Sequence, residues 1–104
     1  MSRYQFTPQA SDDLFEIWSY IARDSVQAAD RLEDEVYKAC AFLVEGPLRG
    51  GTREDITKLP LRFWKVQTFP NYIIVHDPKS RPLRIIRILH GSRDVLAILG
   101  EAIP

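Results

Sequence analysis

Along this chain apolar residues recur first at helical spacing and later at strand spacing. Residues 3–6, RYQF, alternate polar and aromatic and predict a short strand. Thr7-Pro8 reads as an N-cap followed by proline at the first helical position. Ala10, Leu14, Ile17, Trp18 and Ile21 then fall within an arc of about 100°, the width of a core-facing helical stripe. This first helix is expected to end near Arg23. Asp12, Asp13 and Glu16 lie off the stripe, and the reading makes them solvated acids in the early turns, where the helix dipole favours negative charge. Asp24 or Ser25 caps a second helix, whose stripe is Ala29, Leu32, Val36, Ala39, Cys40 and Leu43. Arg31, Asp34, Glu35 and Lys38 take its outer side. Gly46-Pro47 cannot continue a helix, so this one stops near Glu45. A link this short makes the pair an antiparallel hairpin. Tyr37 and Phe42 fall outside the stripe: they pack at its margins, or they await a partner.

Residues 46–61 hold three glycines and two prolines and read as a loop. Three strands follow, at 62–68, 72–77 and 83–89, with turns at Phe69-Pro70-Asn71 and at 78–82. Loops this short make an antiparallel meander. The last strand is apolar on both faces, which suits a central position. Strict alternation puts Arg84, Ile86, Ile88 and His90 on one face, and Leu83, Ile85, Arg87 and Leu89 on the other. Gly91 allows a turn, and Asp94 could cap a short terminal helix, VLAILGEA. The fold class is therefore α+β, in the order β-α-α-β-β-β. A helical hairpin packs on one face of a small antiparallel-dominated sheet, followed by a short C-terminal helix. The other face is expected to stay partly bare, exposing more apolar surface than monomers usually tolerate, so a protein partner is expected.

Composition narrows the class. The 104 residues argue for one domain over 1–104. No apolar run approaches the roughly 18 residues a membrane span needs, and the N-terminus lacks the apolar stretch of a signal peptide. The single cysteine, Cys40, suits a reducing cytoplasm, and its place on the helical stripe makes it a core residue. Cys40, His76 and His90 make no metal-ligand spacing, so neither metal nor cofactor is expected. Net charge is zero but uneven. Residues 1–61 carry seven Lys/Arg against eleven Asp/Glu, and residues 62–104 carry seven against three. Such a basic half attracts an acidic partner, or it complements the acidic half internally.

Three stretches in order carry a resemblance: FTPQASDDLFEIWSYIARDSVQAADRLEDEVYKACAFLVEGPLRGG, then LPLRFWKVQTFPNYIIVHD, then LRIIRILHGSRD. Together they resemble the ParE branch of the ParE/RelE toxin superfamily over about residues 4–96. The resemblance implies a βααβββ fold and the toxin of a type II toxin–antitoxin pair, silenced by a cognate antitoxin whose C-terminal segment wraps it. ParE-like members generally poison DNA gyrase, whereas RelE-like members cut messenger RNA on the ribosome. The chain itself is expected to bind DNA only through its antitoxin.

Cleavage of RNA needs an acid or base and several cations around one phosphate. Under that reading His90, Arg93, Arg62 and Lys65 are the catalytic candidates. The match to the nucleases is partial. Ile73 stands at a middle-strand position that is arginine in them, and no tyrosine follows residue 72. The preferred reading is a gyrase inhibitor without chemistry of its own. Its target-facing residues are His90, Arg93 and Asp94, and its antitoxin-facing residues are Trp64, Arg62, Lys65 and Arg84. A degenerate toxin that keeps only antitoxin binding is the third reading. The structural role of the HGSRD stretch stands beside all three: His90 bonded at a strand end, Gly91 the turn, Asp94 a cap.

Overall fold

The computed structural model describes residues 3–55 and 57–91. In chain order the elements are β1 (Tyr4–Phe6), α1 (Pro8–Ala22), α2 (Val26–Glu45), β2 (Arg62–Val66), β3 (Phe69–Asp77) and β4 (Leu83–His90). The helices begin as the caps predict. The Thr7 hydroxyl accepts from the Ala10 amide at 3.1 Å, and the Ser25 hydroxyl accepts from the Ala28 amide at 3.1 Å. The α2 helix closes at Gly46, whose amide donates to the Leu43 carbonyl. Trp18 is half-buried between the helices, and its indole N–H donates to Asp30 on α2 at 3.0 Å.

The sheet has four strands in the order β1-β4-β3-β2. The β1 strand runs parallel to β4, and the other two pairings are antiparallel. The helices lie on one face, over Val66, Ile74, Leu83, Ile85 and Ile88, and bring Ala10, Leu14, Leu32, Val36, Cys40 and Leu43 to that core. Cys40 is core as expected, and burial pushes its thiol pKa up to about 12.

Three details differ from the sequence reading. The β2–β3 turn is Gln67-Thr68, and β3 already begins at Phe69. Pro70 is tolerated inside this strand because β4 pairs with β3 only from Tyr72 on, so no ladder bond to β4 needs its missing N–H. Second, the other face of the sheet is not bare. Leu61, Ile73, Val75 and Leu89 form a second buried cluster, with Phe63 and Ile86 packed against it. The loop before β2 supplies part of this layer: Leu61 comes from it, and Gly51 exchanges both backbone bonds with Phe63 at 2.9 and 3.1 Å. Its neighbour Gly50 has φ +87°, and a Cβ there would stand 2.5 Å from the Phe63 carbonyl oxygen, so only glycine fits. Among the described residues, the large exposed apolar side chains lie instead on the helices and the loop: Phe15, Tyr20, Val26, Tyr37, Phe42, Leu48 and Leu59.

Third, β4 does not alternate strictly. Val75 pairs with Arg87 but His76 pairs with Ile85, so one extra residue is inserted in β4. This bulge reverses the phase of the strand. Leu83 and Ile85 face the helices before it, Ile88 faces them after it, and Ile86 and Leu89 join the other face. Arg87 turns toward α1 and meets Asp13 through both nitrogens, at 2.7 and 2.8 Å. Asp13 also accepts the Ile88 amide at 3.0 Å. Thr7, while capping α1, donates its hydroxyl to the Ile86 carbonyl at 2.8 Å. Asp13 is thus no solvated acid. Its side chain is 11% exposed and that of Arg87 22%.

The terminal helix expected over 95–102 lies outside the described residues. For Asp13→Ala, which strands Arg87 and the Ile88 amide, we expect a stability loss of about 2–3 kcal/mol. That corresponds to a melting temperature lower by roughly 10 °C or more, measurable by thermal circular dichroism. A change within 2 °C would show that the bulge stands without its carboxylate partner.

Candidate functional site

With both faces of the sheet filled, the surface available to a partner lies along the seams where helices meet sheet. One seam runs between the C-terminal half of α2 and β2. Phe42 projects off the apolar stripe and is 45% exposed. Its ring packs on that of Trp64 at a centroid distance of 5.4 Å. The Arg49 guanidinium lies 3.8 Å over the Phe42 ring and donates to the Phe42 carbonyl at 2.7 Å. Glu35, Lys38, Ala39 and Gln67 complete the groove. An aromatic pair held by arginine, with its apolar faces half open, is the composition that dominates binding energy at protein interfaces. Tyr37, the other off-stripe aromatic, packs at the margin against Phe6.

The second seam lies between α1 and the far end of β3–β4. His90 is exposed, and its ring meets the edge of Tyr72 at 5.0 Å. Glu16, Ile17 and Tyr20 of α1 face them across a shallow groove. The bulge makes this possible, because it turns His90 to the same side as Ile88's neighbours on the helices. Gly91 follows at φ +66°, the left-handed turn the sequence predicts.

The sequence-predicted residues do not form one patch. Arg62 and Trp64 share the helix-facing side of β2, while Lys65, opposite Ile73, lies on the other face. Arg84 also lies on that other face, opposite Asp77. Ile73 and Asp77 are four residues apart on β3, which separates Lys65 from Arg84 by about 13 Å along the strand. Arg62 sits opposite His76 and His90 opposite Tyr72, an equal separation at the two ends of β3. Thus no two of His90, Arg62 and Lys65 come together around a single phosphate. Arg93 and Asp94 lie outside the described residues. Phe42, Arg49, Glu16, Tyr20 and Tyr72 were absent from the candidates. For Phe42 the sequence held a signal, its place off the apolar stripe; Tyr20 carries the same signal on α1.

Among the described residues no group of three or more His, Cys, Asp or Glu side chains could hold a metal ion. None of the described helices is long and apolar enough to cross a membrane. His76 is buried and structural. Its Nε2 donates to the Pro47 carbonyl at 2.8 Å, tying the loop to β3, and its Nδ1 has no hydrogen-bond partner.

The family model for the ParE toxin of the type II toxin–antitoxin system, parDE, matches residues 4–95. The chain belongs to the ParE toxin family. No curated protein sequence matches it significantly. Among solved structures, a chain of the chromosomal ParDE toxin–antitoxin system from P. aeruginosa is similar, with a TM-score of 0.68 and 18% identity. The alignment covers 86% of this chain and 99% of that one. It supports the two-helix, four-stranded architecture of this ParE chain.

The buried histidine gives this ParE chain a pH-dependent stability. Burial lowers the His76 pKa below its ordinary value of 6.5, and the charge of Arg62 adds to this, against the opposing effects of the Pro47 bond and Asp77. Because the folded value is the lower one, the unfolded chain takes up the proton first. The stabilisation is complete above about pH 6.5 and is lost as pH falls through the folded value. Urea midpoints measured from pH 7.5 to 5 should fall more steeply for the natural chain than for His76→Gln. Parallel slopes would remove His76 as the titrating group.

Proposed function

We propose that this chain is the toxin of a type II toxin–antitoxin pair, held inactive by a cognate ParD-like antitoxin and inhibiting DNA gyrase by binding it. The observation that carries this reading is the family match, which runs through the helical hairpin, all four strands and the residues just after β4. The similar P. aeruginosa chain comes from a ParDE pair, which supports an antitoxin for this one. The cytoplasm is the compartment in which both partners would be met, and the single buried thiol is compatible with it.

Geometry favours protein binding over RNA cleavage. A phosphate-cleaving site needs its cations converged, and Arg62, Lys65 and His90 are divided between two faces and two ends of the sheet. The half-open aromatic seams favour a polypeptide ligand. On this reading the antitoxin covers the α2–β2 seam, at Phe42, Trp64, Arg49 and Arg62, with Lys65 and Arg84 reached by a segment that wraps the edge. An acidic antitoxin segment would complement these cations. His90, Arg93 and Asp94 remain for the target.

Brief induction of the chain in cells should produce filaments, induce the DNA-damage response, and allow gyrase to be recovered with the tagged toxin. Rapid translation arrest with cleaved messages would establish the ribosome-dependent nuclease instead, and growth at the normal rate with folded protein present would establish the degenerate toxin. Arg93→Ala should fold as the natural chain does and inhibit growth less; undiminished toxicity would take Arg93 off the active surface. Phe42→Ala should weaken binding of a cognate ParD-like antitoxin by about tenfold, read by calorimetry. Unchanged affinity would move the antitoxin off the α2–β2 seam.

A further inference from the structure

The seam beside His90 has a chemistry that the proposed function leaves unspecified. Its two walls are built from different elements. On α1, Glu16 and Tyr20 stand one turn apart, so the carboxylate and the phenol ring are neighbours on one face. On the sheet, Tyr72 and His90 are register partners whose rings meet edge to face at 5.0 Å. Half-buried Ile17 lies with them in a cleft of about 350 Å³. Three rings and one carboxylate therefore surround an open space.

Glu16 is exposed and forms no ion pair among the described residues. Arg87 is close enough to Glu16 to feel its charge, but its Nε and Nη2 bond Asp13 rather than Glu16, so its counter-charge acts at longer range. Asp12 is exposed one turn before Glu16 and adds to the negative field. Aromatic ring faces attract cations, and a carboxylate beside them supplies the counter-charge. An acidic peptide or a nucleic-acid phosphate would be repelled here. A purely apolar side chain would desolvate the Glu16 carboxylate without replacing its lost hydrogen bonds. A guanidinium satisfies both walls, because it is planar enough to stack on a ring and carries a fork of donors for the carboxylate.

We propose that the Glu16–Tyr20–Tyr72–His90 cleft receives an arginine side chain presented by a protein partner. This rests on the reading of the chain as a toxin that works by gripping proteins, and it names the chemistry of one contact.

The test uses the full chain and two short peptides, acetyl-Gly-Arg-Gly-amide and its citrulline counterpart, which has the same shape without the charge. Ring-proton signals of Tyr20, Tyr72 and His90 are followed by NMR during titration. The arginine peptide should shift them saturably and bind at least about fivefold more tightly than the citrulline peptide. Glu16→Gln should remove that preference while leaving the melting temperature unchanged, and Tyr20→Leu should weaken binding of the arginine peptide. Equal affinity for the two peptides overturns the proposal, as does the absence of any shift up to roughly 10 mM peptide. Shifts that arise only in Arg93→Gln would also overturn it, since the cleft would then belong to the chain's own arginine. The two readings fail separately. A chain that binds the arginine peptide but leaves gyrase alone loses its target assignment only, and a gyrase-binding chain indifferent to the peptide loses this site only.

Discussion

The arrangement of this molecule depends on how one inserted residue in β4 is accommodated. The bulge between Ile85 and Arg87 interrupts the regular ladder at Ile86. A buried backbone donor or acceptor left alone costs about as much as a lost hydrogen bond. Two backbone groups at and beside the bulge, beyond the end of the β1 pairing, find partners on one short piece of chain: the Thr7 hydroxyl donates to the Ile86 carbonyl, and the Asp13 carboxylate accepts from the Ile88 amide. Thr7 caps α1 and Asp13 lies in its second turn, so the same bonds that heal the bulge dock the helix on the sheet. Arg87 closes the arrangement by pairing with Asp13, and that pairing raises the guanidinium's pKa against the opposing effect of its partial burial.

The consequence reaches the surface. With strict alternation, Ile88 and His90 would share a face with Arg84 and Ile86, away from the helices. The phase reversal brings Ile88 into the helical core and His90 beside Tyr72, opposite Glu16 and Tyr20. A packing solution inside the strand thereby decides which side chains meet at the far seam.

The elements themselves were legible because each had a local cause. The stripes of the two helices, the Thr7 and Ser25 caps and the Gly46 stop all act within a few residues, and the structure reproduces them. What was not legible depends on contacts between distant segments. Nothing in LRIIRIL announces a bulge, since the run is apolar enough to fit either phase; the side chains that bond its backbone, Thr7 and Asp13, lie some 75 to 79 residues earlier. Asp13 itself looked like any early-turn acid. The burial of the second face was hidden for the same reason. Leu61 and the Gly51–Phe63 pairing come from a stretch with no periodicity of its own, so its role as cover emerges only when it returns to the edge of β2. Of the candidate site, the sequence singled out Trp64 and His90 and showed Phe42 only as an aromatic out of phase with its helix, while Tyr20 was not singled out.

Filling both faces of the sheet changes the reason for expecting a partner. A bare face would have demanded one for solubility. Here the described residues already bury a cluster on each face, and among the exposed apolar side chains the rings of Tyr20 and Phe42 stand at two seams. Such rings are rigid, so a ligand gains contact area without a large entropic loss in ordering them. The two seams differ in sign. Arg49, Lys38 and Arg62 surround the aromatic pair on the α2 side, with Glu35 the carboxylate among them. Glu16, with Asp12 behind it, stands over the α1 side. Aromatic area alone would let one partner settle on either seam; opposite charge at the rims makes the wrong seating unfavourable. A small domain can discriminate between polypeptides in this way, through the sign of a few rim charges around surfaces that are otherwise alike.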